Sequence, residues 1–368
     1  MERKKITVLL GFLLSGICIL GGCDSKEERS AKKAVEQELE KLQSSDSQTI
    51  QDCIDTQNLL PSSEYTDEAA EEIADIFSLF YKNFSFEIKK VRVDKDNDKG
   101  YVQTNLTTID AHSLAKDYSA ALLQKQIEMD ASPGEVEFSL SDSCLLLKDK
   151  LESKDYDTET VEFSIPLEKE ADSWKVIHTE ELDSILTGIF ADYMSDSRLL
   201  SPSEIVAAHF DTIGNFDSEQ LKIYLSLDEL MQTDDAFNNS LATAITQQIE
   251  KSFHYQITEE EQEENNAEVH ATITSPDFET ILDSYKNQLT KWLKTSDSLS
   301  AGAQGRRDKE RELLISCIEN NEDTVSKDIV IRLFNDGVNW KIQMDPDIAE
   351  AVFGDIPSAI ESIAENIQ

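Results

Sequence analysis

The segment Asp94-Lys95-Asp96-Asn97-Asp98-Lys99-Gly100 has the closely spaced side-chain oxygens of a calcium-binding loop. Such a loop requires glycine at its sixth position and glutamate at its twelfth. The sixth position here is Lys99 and the twelfth is Asn105, so both requirements fail. Because Asp, Asn and Gly also favour turns, we interpret the segment as a solvated hairpin tip, with weak cation binding as the alternative.

A second candidate for chemistry is a pair of residues that occurs twice, Asp110 with Tyr118 and Asp277 with Tyr285. An aspartate beside a tyrosine can perform acid–base chemistry. Each aspartate, however, stands where a predicted strand gives way to a helix, which is the N-cap position. Each tyrosine falls on the apolar stripe of that helix, and no histidine or nucleophile recurs nearby. We predict helix caps and buried tyrosines, and we assign no catalytic residue.

His254 and His270 are the histidines with a pattern. Both alternate with apolar residues in a predicted hairpin, so we expect both on the outer face of a sheet and near each other. Two imidazoles can bind zinc or copper, but no acid or cysteine at a fixed spacing completes a site. We predict exposed strand residues, no metal site and no cofactor.

The tryptophans Trp174, Trp292 and Trp340 can contact a ligand, although a tryptophan beside aliphatic strand positions is more typical of a core. Trp174 and Trp340, with Tyr118 and Tyr285, are therefore our candidates for either pocket lining or core. The stretch from Ser298 to Arg307 lacks the spacing of a phosphate-binding loop, and we interpret it as an ordinary loop. It leads into a basic cluster that favours either an anionic contact or a solvated helix start: Arg306, Arg307, Lys309 and Arg311.

The N-terminus has the pattern of an export signal. A basic start, Met1 to Lys5, precedes an apolar run from Ile6 to Leu20, which is shorter than the roughly 20 residues of a spanning helix. Leu20-Gly21-Gly22-Cys23 then resembles the lipobox of bacterial lipoproteins. That resemblance implies cleavage after Gly22, a diacylglycerol on Cys23, and attachment to the outer face of the cell membrane.

Composition restricts the partners. The chain has 368 residues and a formal net charge of −40, which disfavours nucleic acid and any extra membrane contact through basic patches. Its hydrophobic content of 39% is sufficient for packed cores. Beyond the signal and Cys23, the remaining cysteines are Cys53, Cys144 and Cys317. An odd number excludes a complete disulfide framework, and whether Cys53 pairs with Cys144 stays open.

One unit occurs twice, at a period of about 168 residues. Each copy is predicted as helix, helix, hairpin, helix, hairpin, helix, which is an α+β fold with helices on one face of an antiparallel sheet. In the last hairpin we align Val161, Phe163 and Ile165 with Ile329, Ile331 and Leu333. Trp174-Lys175 and Trp340-Lys341 follow. The predicted boundaries are a signal peptide over 1–22, the lipidated cysteine with a short tether over 23–30, and units over 31–195 and 199–368.

This element order, with a Trp-Lys pair before the last helix, resembles NTF2-like and cystatin-like domains in uncharacterised tandem lipoproteins of Gram-positive bacteria. The resemblance implies two curved antiparallel sheets, each able to hold a ligand. We therefore expect a non-enzymatic binding or scaffolding module that is anchored to the membrane and recognises an envelope protein, a peptide or a small ligand. The alternatives are an extracytoplasmic enzyme with an unrecognised cleft site and a solute-capture lipoprotein for a transporter.

Overall fold

The computed structural model describes residues 25–44, 49–50, 70–94, 96–134, 137–227, 231, 235–343 and 346–354. The signal sequence, Leu20, Gly21, Gly22, Cys23 and Cys53 lie outside these residues. None of the helices in the described ranges is long and apolar enough to cross a membrane.

Each unit is built on a four-stranded antiparallel sheet whose strands follow sequence order, which confirms the α+β class. The first sheet contains β1 (Ser85–Asp94), β2 (Lys99–Ile109), β3 (Thr158–Glu170) and β4 (Ser173–Val176). The second contains β5 (His254–Glu263), β6 (Asn266–Pro276), β7 (Thr324–Asn335) and β8 (Trp340–Ile342). The first strand of each sheet has a bulge at the corresponding place, between Ile88 and Lys90 and between Ile257 and Glu259.

Helices cover one face of each sheet. In the described part of unit one they are α1 (Lys26–Leu42), α2 (Ala70–Phe80), α3 (Ala111–Asp130), α4 (Leu140–Ser153), α5 (Glu180–Leu186) and α6 (Phe190–Met194). In the described part of unit two they are α7 (Pro202–Gly214), α8 (Ser218–Tyr224), α9 (Ala236–Ser252), α10 (Phe278–Leu293), α11 (Ser296–Ser300), α12 (Gly302–Glu319) and α13 (Pro346–Phe353). Alternate residues of β2 and β6 are buried beneath these helices.

The start of α1 changes the predicted tether. Ser25 caps the helix by accepting a hydrogen bond from the Glu28 backbone N–H, and the Glu28 side chain accepts one from the Ser25 N–H. This capping box satisfies two of the donors that every helix N-terminus leaves open. Residues 26–30 are therefore helical, and the tether that we predicted over 23–30 is shorter. Ser201, Pro202 and Glu204 begin α7 in the predicted manner.

The predicted element order omits several helices, of which the two longest are α4 in unit one and α12 in unit two. Both are weakly marked in the sequence because few of their residues are buried. Cys144 and Leu147 are the buried residues of α4, and the buried residues of α12 fall in its last two turns. The stretch from Ser298 to Arg307, interpreted as a loop, belongs to α11 and the start of α12.

The alignment of the last hairpin is wrong by two residues. Val102 pairs with Ile165 across the first sheet, and its counterpart Val269 pairs with Ile331 across the second. Ile165 therefore corresponds to Ile331, and not to Leu333. Because side chains alternate along a strand, a shift of two keeps the apolar residues on one face, so the pattern could not reveal the error.

Two glycines support the repeat. Gly188 follows α5 with φ +59°, and Gly354 follows α13 with φ +72°. A β-carbon on Gly188 would lie 2.9 Å from Cβ of Ala111, and one on Gly354 would lie 2.6 Å from the Phe278 ring. Ala111 and Phe278 are the first residues of α3 and α10. In both units, therefore, the backbone after a late helix approaches the start of the helix that follows the first hairpin.

The two units have separate cores that meet at one place. Ile127 and Ala131, at the C-terminal end of α3, are buried in the hydrophobic core of unit two. Polar contacts add to this junction, since the Asn335 side chain donates to the Ser197 carbonyl (2.7 Å) and Arg198 donates to the Glu264 carbonyl (2.9 Å). The C-terminal end of α3 thus packs as part of the core of unit two.

Candidate functional site

A groove runs between α3 of unit one and α7 of unit two, with a volume of about 350 Å³. We call it the inter-unit groove. The side of α3 presents Ser113, Lys116, Asp117, Ala120 and Gln124, and the side of α7 presents Glu204, Ala207, Ala208 and Asp211. These positions recur every three or four residues, so each set forms one stripe of its helix. Lys154 and Leu200 complete the lining.

The alanines keep the groove open between the helices. Ala120, Ala207 and Ala208 carry single methyl groups at the positions where longer side chains would meet across the groove. Beyond Gln124 a further cavity of about 120 Å³ continues along the same helices, lined in part by Glu128 and Phe216. The combined lining is part polar and part apolar, with the alanines contributing apolar area.

Lys116 and Glu204 form an ion pair of 2.5 Å across the groove, from one unit to the other. Burial acts to raise the pKa of Glu204, but hydrogen bonds from Lys116 and from the Ser201 backbone outweigh it, so the pKa lies below its ordinary value. Glu204 therefore serves two purposes, since it also completes the capping box of α7. The pair fixes the separation of the two helices at this end.

The remaining carboxylates of the groove also have donors. Asp117 accepts from Lys154 (2.7 Å) and from the Tyr156 hydroxyl (2.9 Å), and Asp211 accepts from the Tyr255 hydroxyl (2.5 Å). Burial and the neighbouring carboxylates raise the pKa of both tyrosines, so both hydroxyls stay protonated as donors. The groove thus presents satisfied ion pairs and hydrogen bonds, with spare acceptor and donor capacity toward a ligand.

The predicted tyrosines and tryptophans lie elsewhere, in the two cores. Tyr118 is buried and donates to the Ser143 carbonyl (3.2 Å), and burial raises its pKa to about 12. Tyr285 and Trp340 are buried in unit two, and Trp174 is buried in unit one, where its Nε1–H donates to Glu27 (3.1 Å). None of these four side chains lines the inter-unit groove.

The aspartates that precede these tyrosines cap helices. Asp110 accepts from the Ser113 backbone N–H and Asp277 from the Thr280 backbone N–H, each at 3.0 Å. The backbone N–H groups of both aspartates also donate to the residue before the next strand, at Asp157 (2.8 Å) and at Asp323 (3.1 Å). At the start of both α3 and α10, therefore, an aspartate caps the helix with its side chain and bonds with its backbone to the residue before the next strand.

His254 and His270 do not come together. His254 lies opposite Thr274 and His270 lies opposite Glu259, so both face outward but stand four residues apart along β6, or about 13 Å. Within the described residues, no group of three or more His, Cys, Asp or Glu side chains could hold a metal ion. Residues 96–98 form the turn of the first hairpin, as predicted. The acidic segment of the second hairpin was also expected to be a tip, but Glu259 to Glu263 pair within β5 and the turn lies at Glu264 and Asn265.

Two histidines without a sequence pattern have defined partners or surroundings. His178 joins α5 to α1, with Nδ1 2.8 Å from Asp183 and Nε2 3.3 Å from Glu38. The hydrogen bond to Glu38 raises the pKa of His178, and the same bond lowers the pKa of Glu38 to about 2. His209 on α7 shows the opposite behaviour, since burial lowers its pKa to about 4.

The cysteines of the described residues are buried. Cys144 lies in the first core and Cys317 in the second, where burial raises the pKa of the Cys317 thiol. Because Cys53 lies outside the described residues, the question of whether it pairs with Cys144 stays open.

Sequence reasoning missed the inter-unit groove. Its polar residues lie at the spacing of one helix face, and such a face in an isolated sequence indicates contact with solvent. The residues of α3 and α7 are also separated by α4, β3, β4, α5 and α6, so no local motif joins them. The small residues at Ala120, Ala207 and Ala208 were the available signal.

No protein-family model matches the chain, and no curated protein matches it. A comparison with solved structures matches it to the crystal structure, at 2.62 Å resolution, of a candidate lipoprotein (ycdA) from Bacillus subtilis subsp. subtilis str. 168. The identity is 15%, the match covers 74% of this chain and 94% of the other, and the TM-score is 0.27. Similarity at this level leaves the function to be argued from the chain itself.

Proposed function

We propose that this protein is a membrane-anchored extracytoplasmic lipoprotein that acts as a non-enzymatic binding module, and that the inter-unit groove holds a polar peptide segment of an envelope protein. The observation that supports a binding site is that each carboxylate of the groove is bonded to a lysine or a tyrosine. Titratable side chains converge there, as the enzyme alternative requires. Each carboxylate, however, is engaged by a lysine or a tyrosine, which favours recognition over proton transfer.

The groove's chemistry fits an extended peptide. The lining contains both charges. Lys116 and Lys154 are positive, and Asp117, Glu204 and Asp211 are negative. A peptide carries backbone donors and acceptors along its length, and the methyl groups of Ala120, Ala207 and Ala208 can contact small side chains. The solute-capture alternative fits less well, because such proteins are built from parallel sheets, whereas the strand pairs of the described sheets are antiparallel.

The anchoring part of the proposal rests on Leu20-Gly21-Gly22-Cys23 behind a basic and apolar start. Two acyl chains hold a protein stably at a bilayer where one does not. The finer fold name, NTF2-like or cystatin-like, belongs to the same proposal and rests on the element order and on the repeated Trp-Lys pair.

Anchoring is tested by mass spectrometry of the membrane-extracted protein and of a Cys23→Ser variant. We expect the native chain to begin at an acylated Cys23 and the variant to keep its signal sequence or to be released. An unmodified native N-terminus recovered in the medium would contradict the anchor.

The groove is tested by placing a photo-crosslinking amino acid at Ala120 or Ala207 of the full chain, with Lys89 on the outer face of β1 as the matched control. We expect one discrete polypeptide adduct from both groove positions and none from Lys89. The Lys154→Glu change should remove the adduct. Equal labelling at all three positions, or none at any, would reject the groove as the binding site.

A further inference from the structure

The end of α10, all of α11 and the start of α12 form an exposed tip on unit two. We call residues 291–307 the basic tip. It contains four basic residues, Lys291, Lys294, Arg306 and Arg307, against one acidic residue, Asp297. On a chain with a net charge of −40, this concentration of positive charge needs an explanation of its own.

The tip has a defined shape. The Ser298 hydroxyl is buried and lies 2.9 Å from both the Leu293 and the Thr295 carbonyls. Arg306 Nε donates to the Ser298 carbonyl (3.0 Å), which joins α12 to α11. Gly302, with φ +65°, allows the reversal between these two helices. The basic residues are therefore displayed on a folded turn.

The cations of the basic tip have no acidic partners among the described residues. No carboxylate of that part of the chain forms an ion pair with Lys291, Lys294, Arg306 or Arg307. Arg307 donates to the neutral Gln304 side chain (3.2 Å). Elsewhere lysines such as Lys116, Lys154 and Lys222 are paired with acids. The tip thus presents charge that the protein itself leaves uncompensated.

Large apolar side chains lie among these cations. Leu299 is 77% exposed and Leu293 is 45% exposed, and Trp292 beside them is half-buried. The corresponding end of α3 in unit one is different, because Ile127 and Ala131 are buried against unit two. The leucines at the end of α10 and in α11 are left exposed, whereas the end of α3 is covered by unit two.

We propose that the basic tip is a second membrane contact, which docks on anionic phospholipid headgroups and inserts its leucines at the interface. Exposed Leu and Trp flanked by Lys and Arg suit a bilayer surface, because the apolar groups enter the interface while the charges meet the headgroups. The overall negative charge does not prevent this, since charges farther away than about 8 Å are largely screened at physiological ionic strength. The tip would orient unit two against the membrane.

The inference is independent of lipidation, so its test uses the unacylated mature chain, residues 23–368 with Cys23→Ser. Sedimentation with vesicles of equal parts phosphatidylglycerol and phosphatidylcholine is compared with vesicles of phosphatidylcholine alone. We expect binding to the anionic vesicles only, and weaker binding as salt is raised. Binding that is equal on both lipids, or absent on both, would overturn the proposal.

Substitutions locate the contact. Changing Lys291, Lys294 and Arg307 to Gln should weaken binding roughly a hundredfold, since each cation near an anionic surface contributes about fivefold. Arg306 is kept because it joins the helices. The matched control changes the exposed Lys33, Lys82 and Lys90 of unit one to Gln and should bind like the parent.

A second pair of variants tests insertion without altering charge. Leu299→Ser should weaken vesicle binding about tenfold, whereas Val338→Ser, at a side chain that is 74% exposed elsewhere in unit two, should leave it unchanged. Circular dichroism checks that each variant is folded. If the tip variants instead abolish a concentration-dependent dimer and leave vesicle binding intact, the tip binds a second copy of the chain and the membrane proposal is rejected.

Discussion

The ends of α3 and α10 occupy the same position in two copies of one fold, yet their surroundings are opposite. The end of α3 is buried because unit two follows it and packs over Ile127 and Ala131. The end of α10 has no third unit to cover it among the described residues, and it carries lysines, arginines and exposed leucines. The two helix ends therefore differ in their surroundings: the end of α3 is packed within the chain, and the end of α10 is exposed.

The largest expected effect that separates the two ends comes from truncating their apolar side chains. Ile127→Ala should lower the free energy of unfolding by about 3 kcal/mol, because a buried isoleucine loses transfer energy and leaves a cavity. Leu293→Ala should change it by less than about 0.5 kcal/mol, because the side chain is already half exposed. Urea unfolding of the full chain measures both. Equal losses would show that the two ends are packed alike.

The second largest expected effect is a difference between the two units in how the free energy of unfolding depends on pH. Glu38 of unit one and His209 of unit two occupy corresponding positions on α1 and α7. Burial lowers the pKa of His209 from 6.5 to about 4, so the unfolded state binds more protons in this window. Stability should therefore fall as the pH drops from 6.5 toward 4, by on the order of 1–2 kcal/mol after discounting for partial exposure.

The control for this effect is His209→Gln, which should flatten the slope between those pH values in chemical unfolding curves. His178 should act with the opposite sign. Its pKa is raised above 6.5 by Glu38 and Asp183, so its contribution is fully present below pH 6.5 and is lost as the pH rises through the folded-state pKa. A His209→Gln variant with an unchanged slope would contradict the assignment.

The smallest expected effect tests what the units have in common. Asp110→Ala and Asp277→Ala each remove a cap at the start of corresponding helices, so each should cost about 1 kcal/mol. Matched losses in thermal or urea unfolding support equivalent caps. A loss at one position only would show that the repeat has diverged here as well, and Asp96→Ala at the exposed first hairpin tip serves as the neutral reference.

The sequence allowed the α+β class, the two-unit arrangement, the hairpins and the aspartate caps to be predicted, because each of these depends on local patterns. Alternation marks a strand, and Asp110 or Asp277 before an apolar helical stripe marks a helix start. The omitted helices α4 and α12 bury few residues, so their apolar periodicity is weak. The predicted alignment of β3 with β7 was wrong by two residues, because an alternating pattern looks the same after a shift of two. The distance from each strand to Trp174 or Trp340 contained the correct spacing.

The inter-unit groove and the contrast between helix ends could not be predicted in this way. Both depend on how unit two packs against α3, and a polar stripe such as Lys116 and Asp117 has the same appearance whether it faces water or another helix. Ile127 gave no indication that its neighbours belong to the other unit. Long-range packing decides such cases, and periodicity contains no information about it.

The junction at Ile127 also bears on what the chain would do if its backbone were cut. The peptide bonds just after Asp196 lie in an exposed connection, but Ser197 and Arg198 beyond it are already held by unit two. With Ile127 seated in the second core and Lys116 bridged to Glu204, the halves of a nicked molecule would remain associated. A protease acting there would leave the groove assembled and the distal half still bound to the first.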